Sequence, residues 1–563
     1  MCGIGAIYKI KPSKIGDIEL KDSEKISGLL KNRGPDSNGI WFDSRISIVH
    51  RRLAIVDTNK RSTQPMESKT WVICLNGEII NYKELKKTLK EKIQFKTSSD
   101  TEVLLQAIEF FGLKETLNKI AGMFAFLAYN KKTQTLYAVR DHLGIKPLFY
   151  SACQNNSVYF ASSASAIQKA NKNHFGKINN KALSSFFQLG ATFTAESCFE
   201  NIKRLGPAEI LSISPNGSQS ITKYWEPKYD PSFSVDDLMT IIQEYKYSDV
   251  KSAIFLSGGI DSSFLVSTIG DLDCFHLDSP EKKFAEAVAI KYKRKIQIVK
   301  PTASDYFESL RECTQSFGEP LMSAGIPGVV SAAIKRTGYK MAISANGADE
   351  LFYGYPRTPI IGLKEPNLYP EDGVQNNFFS YQYNHIFRHS EHYKIKSIDY
   401  KKSSKHGFEL SKQFYMQNFP AHASYRWFEL MTYVLHDLNA TLDAASMHYG
   451  IEVRVPFLDH RIVQGVLSWE PEKIVTSQFG RKSPLKQVLS KDFGPSFLSR
   501  PKQGFSINDG MYQKIEKREN EILSKYIKNG FIEIKSKITD LYERDINYLK
   551  KSVLAFHLWG LDE

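Results

Sequence analysis

The seven residues Ser257-Gly258-Gly259-Ile260-Asp261-Ser262-Ser263 constrain this chain more than any other stretch. They follow Lys251–Leu256, a short apolar run that predicts a buried strand, and precede Phe264–Ile269, which predicts the start of a helix. Strand, glycine-rich turn and helix in that order make a cradle for anions. The glycines let the backbone approach phosphate oxygens, the helix N-terminus turns its N–H groups to the same point, and serine hydroxyls add donors. Leu256, Ser257, Gly258, Gly259, Asp261, Ser262 and Ser263 are therefore the candidate phosphate contacts. The loop lacks the G-x-x-x-x-G-K-[ST] spacing and the lysine of the commonest nucleotide loop. A serine-rich turn that only caps a helix is the alternative.

Strands and helices alternate after this loop. Cys274–Leu277, the helix-like Lys283–Lys293, Ile296–Val299 and Lys340–Ile343 predict a doubly wound parallel sheet with ligands at the carboxyl ends of its strands. The last of these runs into Ser344-Ala345-Asn346-Gly347-Ala348-Asp349-Glu350. Asp261 and Asp349, from separate loops, are candidates to hold Mg²⁺, although Asp349 could instead cap the following helix.

The first third reads differently. It opens Met1-Cys2-Gly3, where a small second residue permits removal of Met1 and leaves the Cys2 thiol beside its own α-amine, a ready base. Then come Arg33-Gly34-Pro35-Asp36, His50-Arg51-Arg52-Leu53-Ala54-Ile55-Val56-Asp57, Leu75-Asn76-Gly77-Glu78, Ser99-Asp100-Thr101-Glu102, Gly122-Met123-Phe124 and Arg140–Tyr150. Each polar knot lies between short alternating or apolar strands, the pattern of a layered sheet with functional residues in its loops.

Composition bounds the partners. The chain has 563 residues, room for two to four domains. Net charge is +14, but the lysines are spread along the chain rather than gathered into a tract, so no nucleic-acid partner is expected. Six cysteines show no C-x-x-C pairing, which fits a reducing compartment and excludes an evident zinc site. No signal-like N-terminus and no run of 18 apolar residues is present, so a cytoplasmic protein without membrane insertion is expected.

The run from Cys2 to Tyr150 resembles the glutaminase domain of class II glutamine amidotransferases, over roughly the first 165 residues. S-G-G-x-D-S resembles the pyrophosphate loop of N-type ATP pyrophosphatases. Further motifs are Asp443-Ala444-Ala445-Ser446-Met447, Glu452–His460, Arg481–Lys486 and Arg500–Phe505. Together they are similar to the synthetase part of glutamine-dependent asparagine synthetases. The resemblance implies two parts: an N-terminal-nucleophile αββα sandwich over 1–210, then a doubly wound α/β ATP pyrophosphatase domain with a helical C-terminal part over 235–563. A connecting stretch would close the first domain near 210–235.

The resemblance also implies roles. Cys2 would attack the glutamine amide, with the Asn76 side chain and Gly77 N–H stabilising the oxyanion. Arg52 would take the glutamine α-carboxylate, with Leu53, Ala54, Ile55 and Val56 in the same binding loop, and Glu78 and Asp100 the α-ammonium. Arg33 would order the site and Met123 line an ammonia path; for Glu78 and Arg33 a purely structural ion-pair role is the alternative. Ser344 and Ala345 join the ATP contacts, Asn346 lies at the acyl-AMP site, and Lys482 stabilises charge as pyrophosphate leaves. Arg454, Arg500 and Lys502 are candidate phosphate or carboxylate contacts. Glutamine, ATP and a carboxylate acceptor would be the partners, and a homodimer is left open.

The chain departs from the family pattern in a few places. Ser163 replaces the glutamate that usually ends the Phe160–Ser163 motif, removing a carboxylate near the domain junction, and two further positions bear on the acceptor. Asn346 stands where asparagine synthetases carry a glutamate, and Ala444 where Arg or Lys is common. Asparagine cannot act as a carboxylate base. Aspartate is the family default as acceptor, and another carboxylate, such as a sugar acid of a surface polysaccharide, is the alternative. The segment 356–425, with Phe378, Phe379, Tyr381, Tyr383, His385, His389 and His392, is expected to form a lid or surface helix rather than a metal site. A non-catalytic homologue is the remaining alternative.

Overall fold

The computed structural model describes residues 2–192, 195–355, 393–396, 416, 418–419, 421–500, 507–534 and 543–560. In the first half, two six-stranded antiparallel sheets lie face to face. Gly3–Lys9 runs through the middle of one, between Ile46–Arg52 and Ser157–Ala161. Trp71–Ile79 and Gly122–Asn130 form the centre of the other and pair along their whole lengths. Ile4, Ala6, Val72, Cys74, Ala125 and Leu127 fill the space between the sheets. Helices Asp17–Leu29 and Ala164–Ala170 cover the first sheet, and Asp100–Phe111 covers the second. Because both faces of the central strands are covered, Gly3–Lys9 is buried at every position. The result is the expected αββα sandwich.

The second half is built on a five-stranded parallel sheet. Its order across the sheet is Ile296–Val299, Asp273–Leu277, Ser252–Phe255, Met341–Ile343 and Glu452–Arg454. From Ser252–Phe255 the chain winds outward in one direction, then returns to add Met341–Ile343 on the other side. The order reverses between these two strands, where open α/β sheets bind ligands. Residues 256–259 and 344–347 leave the sheet there. The helix after the glycine turn starts at Ile260, four residues earlier than the hydrophobic pattern suggests. Asp261, Ser262 and Ser263 therefore belong to its first turn.

Helices dominate the remainder. Asp509–Lys528 packs against Glu543–Trp559. One apolar cluster joins Phe186 and Phe187 of the first half to Leu310, Cys313, Leu554 and Phe556 of the second, so the two halves share a core. All six cysteines are free. Among the described residues no helix is long and apolar enough to cross a membrane. The histidines and aromatics of 378–392 lie outside the described residues.

Candidate functional site

Cys2 immediately precedes the strand Gly3–Lys9 and is buried. Its backbone nitrogen, the α-amine once Met1 is removed, lies 3.1 Å from Asn76 Oδ1. Asn76 is fully buried, and its amide Nδ2 has no hydrogen-bond partner among the described residues. An unpaired buried donor costs about 1–3 kcal/mol, so this amide is held ready for an acceptor that arrives later. Burial pushes the Cys2 thiol above its ordinary pKa, partly offset by the Leu53 N–H and the Arg52 guanidinium. Gly77 has φ +139°, and a Cβ there would lie 2.0 Å from the Met123 carbonyl oxygen, so no larger residue fits. Met123, opposite Glu78 on the neighbouring strand, is fully buried.

Arg52 turns its guanidinium into the loop that follows it. Nη1 donates to the Asn59 carbonyl at 2.8 Å, and Nη2 donates to those of Val56, at 3.2 Å, and Asp57. The Leu53-Ala54-Ile55-Val56 run is buried, and the Ala54 N–H donates to Asp36 Oδ2 at 2.8 Å. Asp100 Oδ2 accepts from the Ile79 N–H at 3.0 Å, one residue beyond Glu78. Glu78 Oε2 accepts from Arg454 Nη2 at 2.5 Å. Burial, with Glu452 and Asp100 nearby, raises the Glu78 pKa well above the usual range despite Arg454. Cys2, Asn76, Gly77, Glu78 and Asp100 thus gather at one end of the sandwich, with Arg52 ordering the loop beside them.

Side chains of both halves meet behind this site. Arg33 Nε donates to the Cys2 carbonyl at 3.2 Å, and its two terminal nitrogens hold Asp443 bidentately at 2.8 and 3.2 Å. Both partners are buried, and removing one of such a pair costs about 3–5 kcal/mol. Arg454, expected at a phosphate or carboxylate of the ligand, instead binds Glu78 and, at 2.6 Å, Glu452 Oε1. It cannot reach a phosphate, because Nη1 is spent on the Tyr245 and Tyr247 carbonyls. Nearby, His142 of the first half stacks on His460 of the second, ring centroids 3.8 Å apart and planes 9° apart, with the edge of Trp225 against both.

The second site lies at the switch point of the parallel sheet. Gly258 has φ +87°, and a Cβ there would meet the Glu281 carbonyl at 2.9 Å. The Gly259 N–H donates to Ser257 Oγ at 3.1 Å, Ser257 and Ser262 hydroxyls are 3.0 Å apart, and Ser263 Oγ donates to the Gly259 carbonyl at 2.6 Å. Arg500, stacked 4.3 and 3.9 Å from the ring centroids of Phe284 and Phe497, donates to the Gly258 carbonyl. Leu256 is tied by its N–H to the Phe275 carbonyl at 2.9 Å. Lys502 lies outside the described residues.

Lys482 closes this site. Its Nζ donates to Asp261 Oδ2 and to Asp349 Oδ1, each at 2.5 Å. Burial opposes the charge, but the two aspartates outweigh it and hold the ammonium well above the ordinary lysine pKa. Lys482 has φ +61°, a conformation that costs a non-glycine residue about 1–3 kcal/mol. Gly354 makes room for the pair, since a Cβ there would strike Asp349 Oδ1 at 1.8 Å and Lys482 Cε at 2.4 Å. Two carboxylates converging on one small cation suit Mg²⁺, which is commonly held by one or two carboxylates plus phosphate oxygens and water. Across the switch point, the Ser344 N–H donates to the Arg454 carbonyl at 2.8 Å, and Ser344 Oγ donates to Asn346 Oδ1 at 2.9 Å. Ala345 packs against the core.

The stack of His460 on His142 went unread in the sequence, because its two partners lie in different halves of the chain.

Residues 1–225 match the family model described as a glutamine amidotransferase domain, and residues 240–560 match that described as asparagine synthase. The chain is 29% identical over 577 residues to asparagine synthetase [glutamine-hydrolyzing] 1 of Bacillus subtilis, covering 92% of this chain and 89% of that one. It is 28% identical over 395 residues to asparagine synthetase B [glutamine-hydrolyzing] of Escherichia coli, covering 63% and 65%. It is also 25% identical over 417 residues to amidase chry2 of Gibberella zeae, covering 65% and 61%.

Proposed function

The chain belongs to the glutamine-hydrolysing asparagine synthetase family, and on that premise we propose that it converts aspartate to asparagine. It is a glutamine-dependent, ATP-using carbon–nitrogen ligase. In the proposed reaction Cys2 Sγ, deprotonated by its own α-amine, attacks the glutamine side-chain amide. Asn76 Nδ2 and the Gly77 N–H take the oxyanion, and ammonia leaves as the thioester forms. Water then releases glutamate. Asp100 suits the substrate's ammonium, while Glu78 is bonded to Arg454, and the 53–56 loop braced by Arg52 suits the substrate's carboxylate.

At the second site the 257–263 loop suits the ATP phosphates. The acceptor carboxylate attacks the α-phosphorus, and pyrophosphate departs beside Lys482. Ammonia captures the acyl-AMP and releases AMP. Magnesium, which Asp261 and Asp349 would hold, would offset phosphate charge. Residues 1–210 and 235–563 are proposed as the two domains.

The Nδ2 of Asn76 beside Cys2, without a partner among the described residues, is the observation that carries the glutaminase reading. One observation favours a second acceptor: Asn346 is neutral and bonded to Ser344, so no carboxylate stands at that point. A sugar acid or another carboxylate is the alternative acceptor. Incubation with glutamine, Mg-ATP and a panel of carboxylates, scoring AMP, pyrophosphate and product mass, decides. Asparagine formation supports the aspartate reading; turnover on a uronic acid with none on aspartate overturns it.

A further inference from the structure

A cavity of about 390 Å³ lies at the far edge of the parallel sheet and shares no residue with either site described above. Its walls are the edge strand Ile296–Val299, the helices Ala303–Phe317 and Gly325–Arg336, and Tyr449. Small molecules fill cavities of about 300–1,000 Å³.

The lining carries both signs of charge. Asp305, Glu308 and Glu312 bring carboxylates from one helix, and Lys300 and Arg336 bring cations. Asp305 is already committed, its Oδ2 accepting from the Thr302 N–H and hydroxyl at 2.7 Å each. Glu312 Oε2 lies 3.1 Å from His448 Nε2 and accepts from the Tyr449 hydroxyl at 3.5 Å. Glu308, Lys300 and Arg336 form no hydrogen bond or ion pair among the described residues. Glu308 and Glu312 stand four positions apart on one helix face, where like charges repel. Val299, Val329 and Ala333 add apolar surface.

The strand adds its backbone. Ile296–Val299 ends the sheet and pairs on one side alone, with Ile298 opposite His276. The Lys295 and Val299 carbonyls accept from the Cys274 and Asp278 N–H groups, at 2.7 and 2.8 Å. By the alternation of a parallel ladder, the N–H and carbonyl of Ile298 turn to the open edge, where the cavity lies.

We propose that this cavity binds a free α-amino acid. Arg336 takes its carboxylate with a planar fork, and Glu308 and Glu312 share its ammonium, which relieves their repulsion. The Ile298 N–H and carbonyl serve the same two groups, and a short side chain packs on Val299, Val329 and Ala333. An anion or an amine alone would leave half of this set unpaired. The ligand would also abut the brace of the first site. His448, beside Glu312, ends the helix Asn439–His448, whose Asp443 clamps Arg33 behind Cys2.

The test uses the full chain with Cys2→Ala, so that the proposed nucleophile is absent, and no ATP. L-alanine, L-valine, L-aspartate and L-lysine are titrated calorimetrically, followed by the N-acetyl and carboxamide forms of each one that binds. At least one binds, and both of its blocked forms bind about tenfold or more weakly. Adding Glu308→Gln or Arg336→Gln weakens binding by the same factor. Both side chains are exposed, so the melting temperature stays that of the parent. Ala332→Phe, which fills the cavity without changing its charge, abolishes binding. Binding of none of the four overturns the proposal. So does binding that either charge variant or Ala332→Phe leaves unchanged, or equal binding of a blocked form.

Discussion

Beside Cys2 the buried Asn76 amide has no partner among the described residues, whereas at the switch point Lys482 already bonds both aspartates. The first arrangement is set in a sandwich whose strands are covered on both faces, and in the proposed reaction substrate would add hydrogen bonds to it. In the second, loops at strand ends satisfy one another, and a ligand must exchange existing bonds for new ones. The contrast suits the chemistry. Amide hydrolysis needs donors placed before charge develops, while adenylation brings its own charges and needs a site that rearranges around them.

Crossed substitutions are the largest test of that contrast. Cys2→Ala should cut glutamine use by about 10⁴-fold or more while ammonia-driven synthesis continues, since only the nucleophile is lost. Asp261→Asn should lower pyrophosphate release by about 10²–10³-fold and leave glutamate formation. If the two activities always fall together, the sites are not separable. A sharper probe is Asn76→Ala, expected to lower glutaminase kcat by about 10²–10³-fold with KM little changed, because the donor acts on charge that appears only in the transition state. A KM effect alone would mean that Asn76 merely binds.

The smallest effect concerns the seam. Burial, with Arg461 adding to it and Asp459 opposing, lowers His460 to about 4, and burial also lowers His142. The unfolded chain takes up protons near the ordinary histidine pKa of 6.5, before the folded one does. The stack's stability is therefore intact above that pH and is lost as pH falls from there through about 4. Between pH 7 and 5 the melting temperature of His460→Phe should fall by a few degrees less than that of the wild type. Parallel curves would remove the stack from any pH dependence.

Much of this was readable from the chain, for physical reasons. Cys2 stood out as a candidate nucleophile because removal of Met1 would leave its thiol beside its own α-amine, whereas Asn76 and Gly77 were named only through the family resemblance. The alternation after Leu256 specified a parallel sheet, and the loops at its switch point followed. What the sequence hid was pairing across distance: Arg454 is separated from Glu78 by 376 positions, and nothing local marks it as an interface residue. Arg52 was legible as a functional arginine, but not as the brace of its own loop, because carbonyl partners leave no trace in side-chain patterns.

Arg33 grips the carbonyl of Cys2, the proposed nucleophile, with one nitrogen and is itself gripped by the other half of the chain. A molecule whose halves have parted would thus lose the brace behind Cys2 as well, so on the proposed reaction separation of the halves would idle the glutaminase too.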